Sequence, residues 1–469
     1  MGHDLDSLKQ RFGAGYPRWL LALLIVSTMT MVLASTSVNV ALPSIMQEFA
    51  IGRPLAQWLI TGFLAAMTSG LLLSSWAQAR FGARATLLST FAVFLLTSLL
   101  APLLESIWAL IAVRILQGVC AGIVQPLSMV LIFRAYPDRG RGLALGLFGL
   151  GVMMAPALGP TLAGYLVDHF GWGAIFWLPA PICVLSLIGG ARLLPSLRAL
   201  APPRLDVPGF ILLNLALFGT LGALAEAQRF GWLAPITVLP GVVGLLALLA
   251  FLWRCNRHPA PLLALRLWRD ASFRRASWVA LVLGLGLFGI TYLIPLFVQT
   301  VEGYSAGEAG LLLLPTGLVL GVAAFCGGWL SDRLAARWLL VGGLALLALS
   351  AGGQALLGSG AGFWVICLWA SLGRIGLGGI LPGVSTAAVQ DLPAEELSRA
   401  TGAITFMRQL GGAFGINLLT FFLEWRHVAE GASLAGDARA FQQGFWLLAV
   451  LFALAIVPAW RLRPAAVRA

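Results

Sequence analysis

Charge is scarce in this sequence: Asp, Glu, Lys and Arg together make up 10% of its 469 residues, against about a quarter in soluble domains. Hydrophobic residues account for 59% and the mean hydropathy is +0.92. So few polar side chains could not cover the outside of a soluble core, whereas a surface facing lipid needs no such cover. Soluble enzymes, nucleic-acid binders and disordered chains are excluded. Lysine is all but missing, Lys9 being the only one, and the arginines form no run, so the net charge of +12 does not describe a nucleic-acid-binding arm. The five cysteines (Cys120, Cys183, Cys255, Cys326, Cys367) include no CxxC pair, which argues against a disulfide framework or a metal site. No cofactor is expected. The four histidines (His3, His169, His258, His427) fall in termini or loops, and no Asp or Glu lies near the middle of a long apolar run. A membrane-embedded enzyme would need such groups gathered in one plane.

What is present is a succession of apolar runs long enough to cross a bilayer, for which about 20 residues suffice. Fourteen are counted: 19–42, 55–76, 85–104, 107–133, 142–167, 173–191, 207–227, 233–253, 277–299, 306–330, 338–357, 363–389, 400–423 and 443–460. The first is too long for a signal peptide's apolar region and is read as a retained helix. An even count puts both termini on one side. Of the 30 basic residues, 23 then fall on that side, four (Arg53, Arg229, Arg426, Arg439) on the other, and Arg114, Arg374 and Arg408 inside runs. The positive-inside rule makes the terminal side cytoplasmic. Polar stretches at 192–206 and 254–276 bracket the seventh and eighth runs. The expected architecture is an all-α membrane protein of 14 transmembrane helices. A six-helix half at 1–204 and another at 261–469 flank two inserted helices at 205–260, the plan of a transporter with a cavity between similar halves.

The fifth run carries Gly146, Gly149, Gly151, Pro156, Gly159, Pro160 and Gly164. Small residues three to four apart make a flat helix face open to close backbone approach, and the prolines permit a bend. With this run, six ordered blocks resemble the major facilitator superfamily, and among its branches the fourteen-helix drug:proton antiporters, the EmrB/QacA-like exporters. The blocks are LASTSVNVALP (33–43), RILQG (114–118), GWGAIFWLP (171–179), LFGITYLIPLFVQ (287–299), GGWLSDRLAAR (327–337) and FMRQLGGAFGIN (406–417). The resemblance implies gating roles for Gly151, Pro156, Gly159 and Pro160 on the fifth helix, and for Asp332 and Arg333 in the second-half turn that keeps Gly328 and Arg337.

Two departures bear on energy coupling. The family's first-helix signature has an aspartate where this chain has Ala34. Its turn between helices 2 and 3 reads G-x-L-x-D-r-x-G, where this chain has Ser75, Ala77, Ala79, Arg80 and Gly82. Glu226, at the outer end of the seventh run, is the nearest candidate coupling acid. Arg114 has two readings: a structural residue capping helix carbonyls, or a substrate and coupling residue. A charge at the bilayer centre costs about 3 kcal/mol on insertion scales, so Arg114 and Arg408 should face the bundle interior and find partners. Arg374, placed near the outer end of the twelfth run, is expected to be structural. Ser35, Thr36, Asn39, Gln117, Asn214 and Gln409 add neutral hydrogen-bonding groups, with Trp58 and Tyr292 widening an apolar cavity; together with Arg114 and Arg408 they form the candidate substrate-binding set.

These features lead to an expectation of efflux by alternating access in the bacterial inner membrane, driven by protons. The cargo is expected to be small, amphipathic, and neutral or weakly acidic. The expected partners are the lipid bilayer, that cargo and protons; the resemblance adds a periplasmic adaptor protein, although outer loops such as 168–172 offer no docking segment. The alternative is a facilitator or flippase driven only by its substrate gradient, or a membrane sensor that does not transport.

Overall fold

The structure, a computed structural model, describes residues 5–136, 138–196, 205–258, 261–331, 333–389, 392, 396–431 and 433–462. Among the described residues there is no strand. Fourteen long helices carry the fold. They are α1 (Tyr16–Glu48), α2 (Trp58–Phe81), α3 (Ala83–Leu100), α4 (Ile107–Ala135), α5 (Asp138–Phe170), α6 (Ala180–Leu193) and α7 (Val207–Phe230). After these come α8 (Pro235–Arg257), α9 (Ala271–Thr300), α10 (Ala306–Ser331), α11 (Ala336–Ala355), α12 (Phe363–Val389), α13 (Leu397–Glu430) and α14 (Leu434–Trp460). Short-range chemistry sets several boundaries. Asp206, Asp270 and Ser433 cap α7, α9 and α14 by accepting from the Gly209, Phe273 and Gly436 amides at 3.0, 2.7 and 3.0 Å. Gly82 has φ +87, which lets α2 turn straight into α3.

Among the described residues, twelve helices are long and apolar enough to cross a membrane, not the fourteen expected; α5 and α13, of 33 and 34 residues, are the two outside that set. For α13 the physical reason is compositional, because Arg408, Gln409 and Asn417 interrupt its apolar sequence. The sixth run is broken at Pro179, so its span is a short turn of helix, Ala174–Trp177, followed by α6.

The first six helices pair as α1 with α5, α2 with α4 and α3 with α6, and the last six repeat this as α9 with α13, α10 with α12 and α11 with α14. Glycine shapes several of these seams. A Cβ on Gly118 would run into the Phe63 carbonyl of α2, and one on Gly378 into the Ala323 backbone of α10. The inserted pair α7 and α8 is clasped by Arg254 Nε to Asp206 Oδ1 at 2.6 Å. It lies outside the central seam, with α7 against α2 and α13.

The end that holds the termini is identified by contacts: Tyr16 donates to the Leu193 carbonyl at 2.9 Å, and Arg275 to the Arg461 carbonyl at 2.5 Å. At the opposite, far end the two six-helix sets close on each other. Residues 33–42 of α1, 59–70 of α2 and 289–298 of α9 are buried without a break. Toward the terminal side the same surfaces become half-exposed, at 71–73 of α2, 285, 287 and 288 of α9 and 405, 407 and 408 of α13. The seam therefore has a sealed far end and a cleft toward the termini.

Candidate functional site

Among the described residues Arg114 is the largest fully buried side chain, 1% exposed. Its position two turns into α4 aims it at α2, where Nε donates to the Leu59 carbonyl at 3.1 Å, while Nη1 reaches Gln117 Oε1, one turn on, at 3.0 Å. Gln117 in turn donates to Ser98 on α3 at 3.1 Å. The guanidinium lies 4.3 Å from the Phe63 ring centre and 5.9 Å from that of Phe176. Nη2 has no protein partner. Ala34, Ser37 and Val38 of α1 line a small cavity with Arg114, Gln117, Ile175, Phe176 and Pro179, with room for about one water-sized body. Ala34 thus stands beside Arg114, where the resemblance implies a carboxylate.

A second group of polar side chains crosses the seam. Asn39 of α1 donates to the Thr291 carbonyl of α9 at 3.2 Å, and Arg374 of α12 donates to the Thr291 hydroxyl at 3.3 Å. Gln57 donates to Asn417 Oδ1 at 2.8 Å, and Asn417 donates to the Thr61 hydroxyl at 2.8 Å. Gln409 donates to the Met67 sulfur at 3.2 Å. Arg408, beside it, is half-exposed on the side of the cleft and, among the described residues, has neither a hydrogen bond nor an ion pair. Arg374 is not near the end of its helix, as its run suggested; it lies about three turns into α12, 3% exposed, with Nε and Nη1 lacking protein partners. The signal for it was in the sequence: RILQG at 114–118 has a counterpart in RIGLG at 374–378, on the fourth helix of each set.

The far end is held by ions. Arg53, on the short helix Arg53–Ala56, lies 4.0 Å from Glu424 of α13 and 3.9 Å from Asp437 of α14. Asp437 is shared with His427 at 2.6 Å. Arg426 bonds Glu430 and Gln443, and Arg439 lies 3.5 Å from Glu430. Asp168, at the end of α5, accepts from the Gly307 amide at the start of α10 at 2.7 Å. Charged residues on both sides of the seam were visible in the sequence; their meeting at one end was not.

The other candidates are placed as follows. The Ser35 and Thr36 hydroxyls bond carbonyls of their own helix at 2.6 and 3.2 Å. Tyr292 is buried against α13, accepting from Thr420 at 3.1 Å. Trp58 stacks on Phe218 of α7 with ring centres 6.3 Å apart, and Asn214 accepts from Ser69 of α2 at 2.8 Å. These last two therefore sit at the flank rather than in the seam, because α9, not the inserted α7, packs beside α1. Glu226 is half-buried toward the far end of α7. On α5, a Cβ at Gly151 would meet Ile25, one at Gly159 would lie 2.6 Å from the Thr36 hydroxyl, and one at Gly164 would meet the Ala306 carbonyl of α10. Pro160 gives its carbonyl to the close approach of Gly310. Arg333 is exposed over the Trp329 ring at 3.8 Å. Asp332 and the side chain of Pro156 lie outside the described residues. Among the described residues no cluster could hold a metal ion.

Known proteins share this architecture. The tetracenomycin C resistance and export protein of Streptomyces glaucescens is 31% identical over 86% of this chain and 76% of its own length. The methylenomycin A resistance protein of Streptomyces coelicolor is 29% identical over 91% and 88%. In fold, the inward open conformation of the xylose transporter XylE from E. coli aligns with a TM-score of 0.67 at 12% identity, covering 96% of this chain and 97% of that one. The model of the Major Facilitator Superfamily matches residues 24–416, so the chain belongs to that superfamily and is a membrane transporter rather than an enzyme.

Proposed function

We propose that the chain is an efflux transporter of the bacterial inner membrane, of the fourteen-helix drug:proton antiporter branch, with both termini in the cytoplasm. The relatives named for antibiotic resistance and export support the direction. Packing supports fourteen spans: α5 lies between α1 and α10 and α13 between α9 and α2, so both have spanning helices as neighbours. At 33 residues such a helix is about 50 Å long, beyond the roughly 30 Å of a hydrocarbon core. Transport proceeds by rocking 1–204 against 261–469, with the inserted pair carried on the flank.

The observation that carries the cargo class is the charge of the interior. Arg114 and Arg374 are buried in the spans, Arg408 borders the cleft, and the only buried acid among the described residues is Asp206, at the terminal end of α7. Such an interior repels dications and favours neutral or weakly acidic amphipathic compounds, with Arg408 and Gln409 meeting the acid group. Coupling to protons then falls to acids at the far ends of helices, Glu424 in the Arg53 cluster and Glu226 on α7. Reconstituted vesicles test both parts. A lipophilic acid should outcompete a lipophilic dication of equal size by about tenfold, one tenfold step being about 1.4 kcal/mol, and cargo addition should drive proton flux. A preference for the dication ends the cargo assignment; transport without proton flux favours a facilitator driven by the substrate gradient.

A further inference from the structure

We propose that the cavity between α1 and the Arg114 guanidinium is a binding site for one small monovalent anion of the halide class, which neutralises Arg114 in place of a protein carboxylate. The site is built. Ala34, Ser37 and Val38 form one wall, Ile175, Phe176 and Pro179 another, and Arg114 with Gln117 the polar floor. Arg114 is 1% exposed, and its Nη2 is buried without a protein partner. Its two bonded nitrogens meet neutral acceptors, the Leu59 carbonyl and Gln117. Neutral acceptors satisfy N–H groups but do not cancel a full charge, and an isolated buried cation is expensive until a counter-charge accompanies it. The facing rings of Phe63 and Phe176 offset part of that cost and supply no negative ion.

Size selects the ligand. The interior of the cavity accommodates about one water-sized body, which excludes phosphate, sulfate and the acid group of a drug-sized cargo but admits a monatomic anion with modest yielding of the apolar wall. The Ser37 hydroxyl is already committed to the Leu33 carbonyl at 2.8 Å, so the Nη2 N–H groups are the donors that meet the ion. This site is separate from Arg408 and the cleft, and the inference stands or falls independently of the cargo.

Thermal unfolding of the purified full-length protein, in sodium chloride against sodium gluconate at equal ionic strength, tests it. Chloride should raise the Tm by about 3 °C or more, as for any ligand bound only by the folded state, and bromide should do the same. Ala34→Asp places a carboxylate in the cavity and should abolish the chloride shift while raising the Tm in gluconate. Should that variant fail to fold, Ala34→Leu, which fills the cavity without charge, should also lose the shift. Equal Tm values in the two salts for the native sequence, meaning water alone occupies the cavity, would overturn the proposal. So would a full chloride shift that survives in Ala34→Asp or Ala34→Leu.

Discussion

Glu430 shows how far a single carboxylate can be governed by its neighbours. Its hydrogen bond from Gln443, then the charge of Arg426 and the bonds from Arg426 and Arg439, hold it below the usual carboxylate range. A carboxylate depressed in the folded state contributes stability that is complete above its unfolded value and is lost as pH falls through the folded one. On acidification below the ordinary carboxylate range, the native protein should therefore lose Tm more steeply than Glu430→Gln, with the difference shrinking in high salt because the group lies near solvent. Melting curves recorded from pH 6 down to pH 3.5 in both proteins would show it; parallel curves would deny the role. At this scale the sequence was partly legible. Arg114 and Gln117 are one helical turn apart and could be paired on paper, and they bond each other. The aromatic faces around Arg114 come from α2 and from the turn before α6, and no local pattern announces a contact between them.

Among the helices, the glycines of α5 were legible as a close-packing face, but not their partners. A periodic stripe says that a backbone approaches, and topology decides which one. The stripe divides, with Gly151 and Gly159 toward α1 and Gly164 toward α10, so α5 links its own set to the other. Gly164→Val should cost about 1–3 kcal/mol, the range for overpacking, because its Cβ meets the Ala306 backbone carbonyl, which cannot swing away as a side chain can. Gly149→Ala on the same helix meets nothing within 4 Å and should leave stability unchanged or raise it by up to about 1 kcal/mol, alanine being the better helix former. Denaturation in detergent with both variants checks this pair, and equal losses would mean that the close approach at Gly164 does not decide the cost. Asn214 lies on the flank, against Ser69 of α2, for a related reason. Counting helices along the chain made α7 the seventh, whereas the repeated pairing skips the inserted pair and gives the place beside α1 to α9.

Across the whole molecule, two kinds of contact hold the far end shut, and they differ in how they can be released. The neutral bonds of Asn39 with Thr291 and Gln57 with Asn417 are buried, so breaking them must be matched by new partners in the opened state. The ion pairs of Arg53 with Glu424 and Asp437 lie at 15% exposure for Arg53 and 32% and 18% for the acids, close enough to solvent for water to replace them. Among the described residues Arg53 is also the one arginine or lysine of the first six-helix set at this end, so the ion pairs between the two sets here pass through one side chain. Partly exposed pairs are worth about 0.2–1 kcal/mol each, so Arg53→Ala, which removes two of them, should shift the closed-to-open equilibrium by about two- to thirtyfold without unfolding either set. A cysteine at Val40, buried in the sealed half of α1, reports the opening once the five native cysteines are replaced. Its labelling by a polar maleimide should be about two- to thirtyfold faster in Arg53→Ala, and salt at about 1 M should bring the unmodified latch toward the same rate by screening it. Labelling that is indifferent to both changes would assign the seal to the neutral seam alone, and would leave the acids at this end without leverage over which side of the membrane the transporter faces.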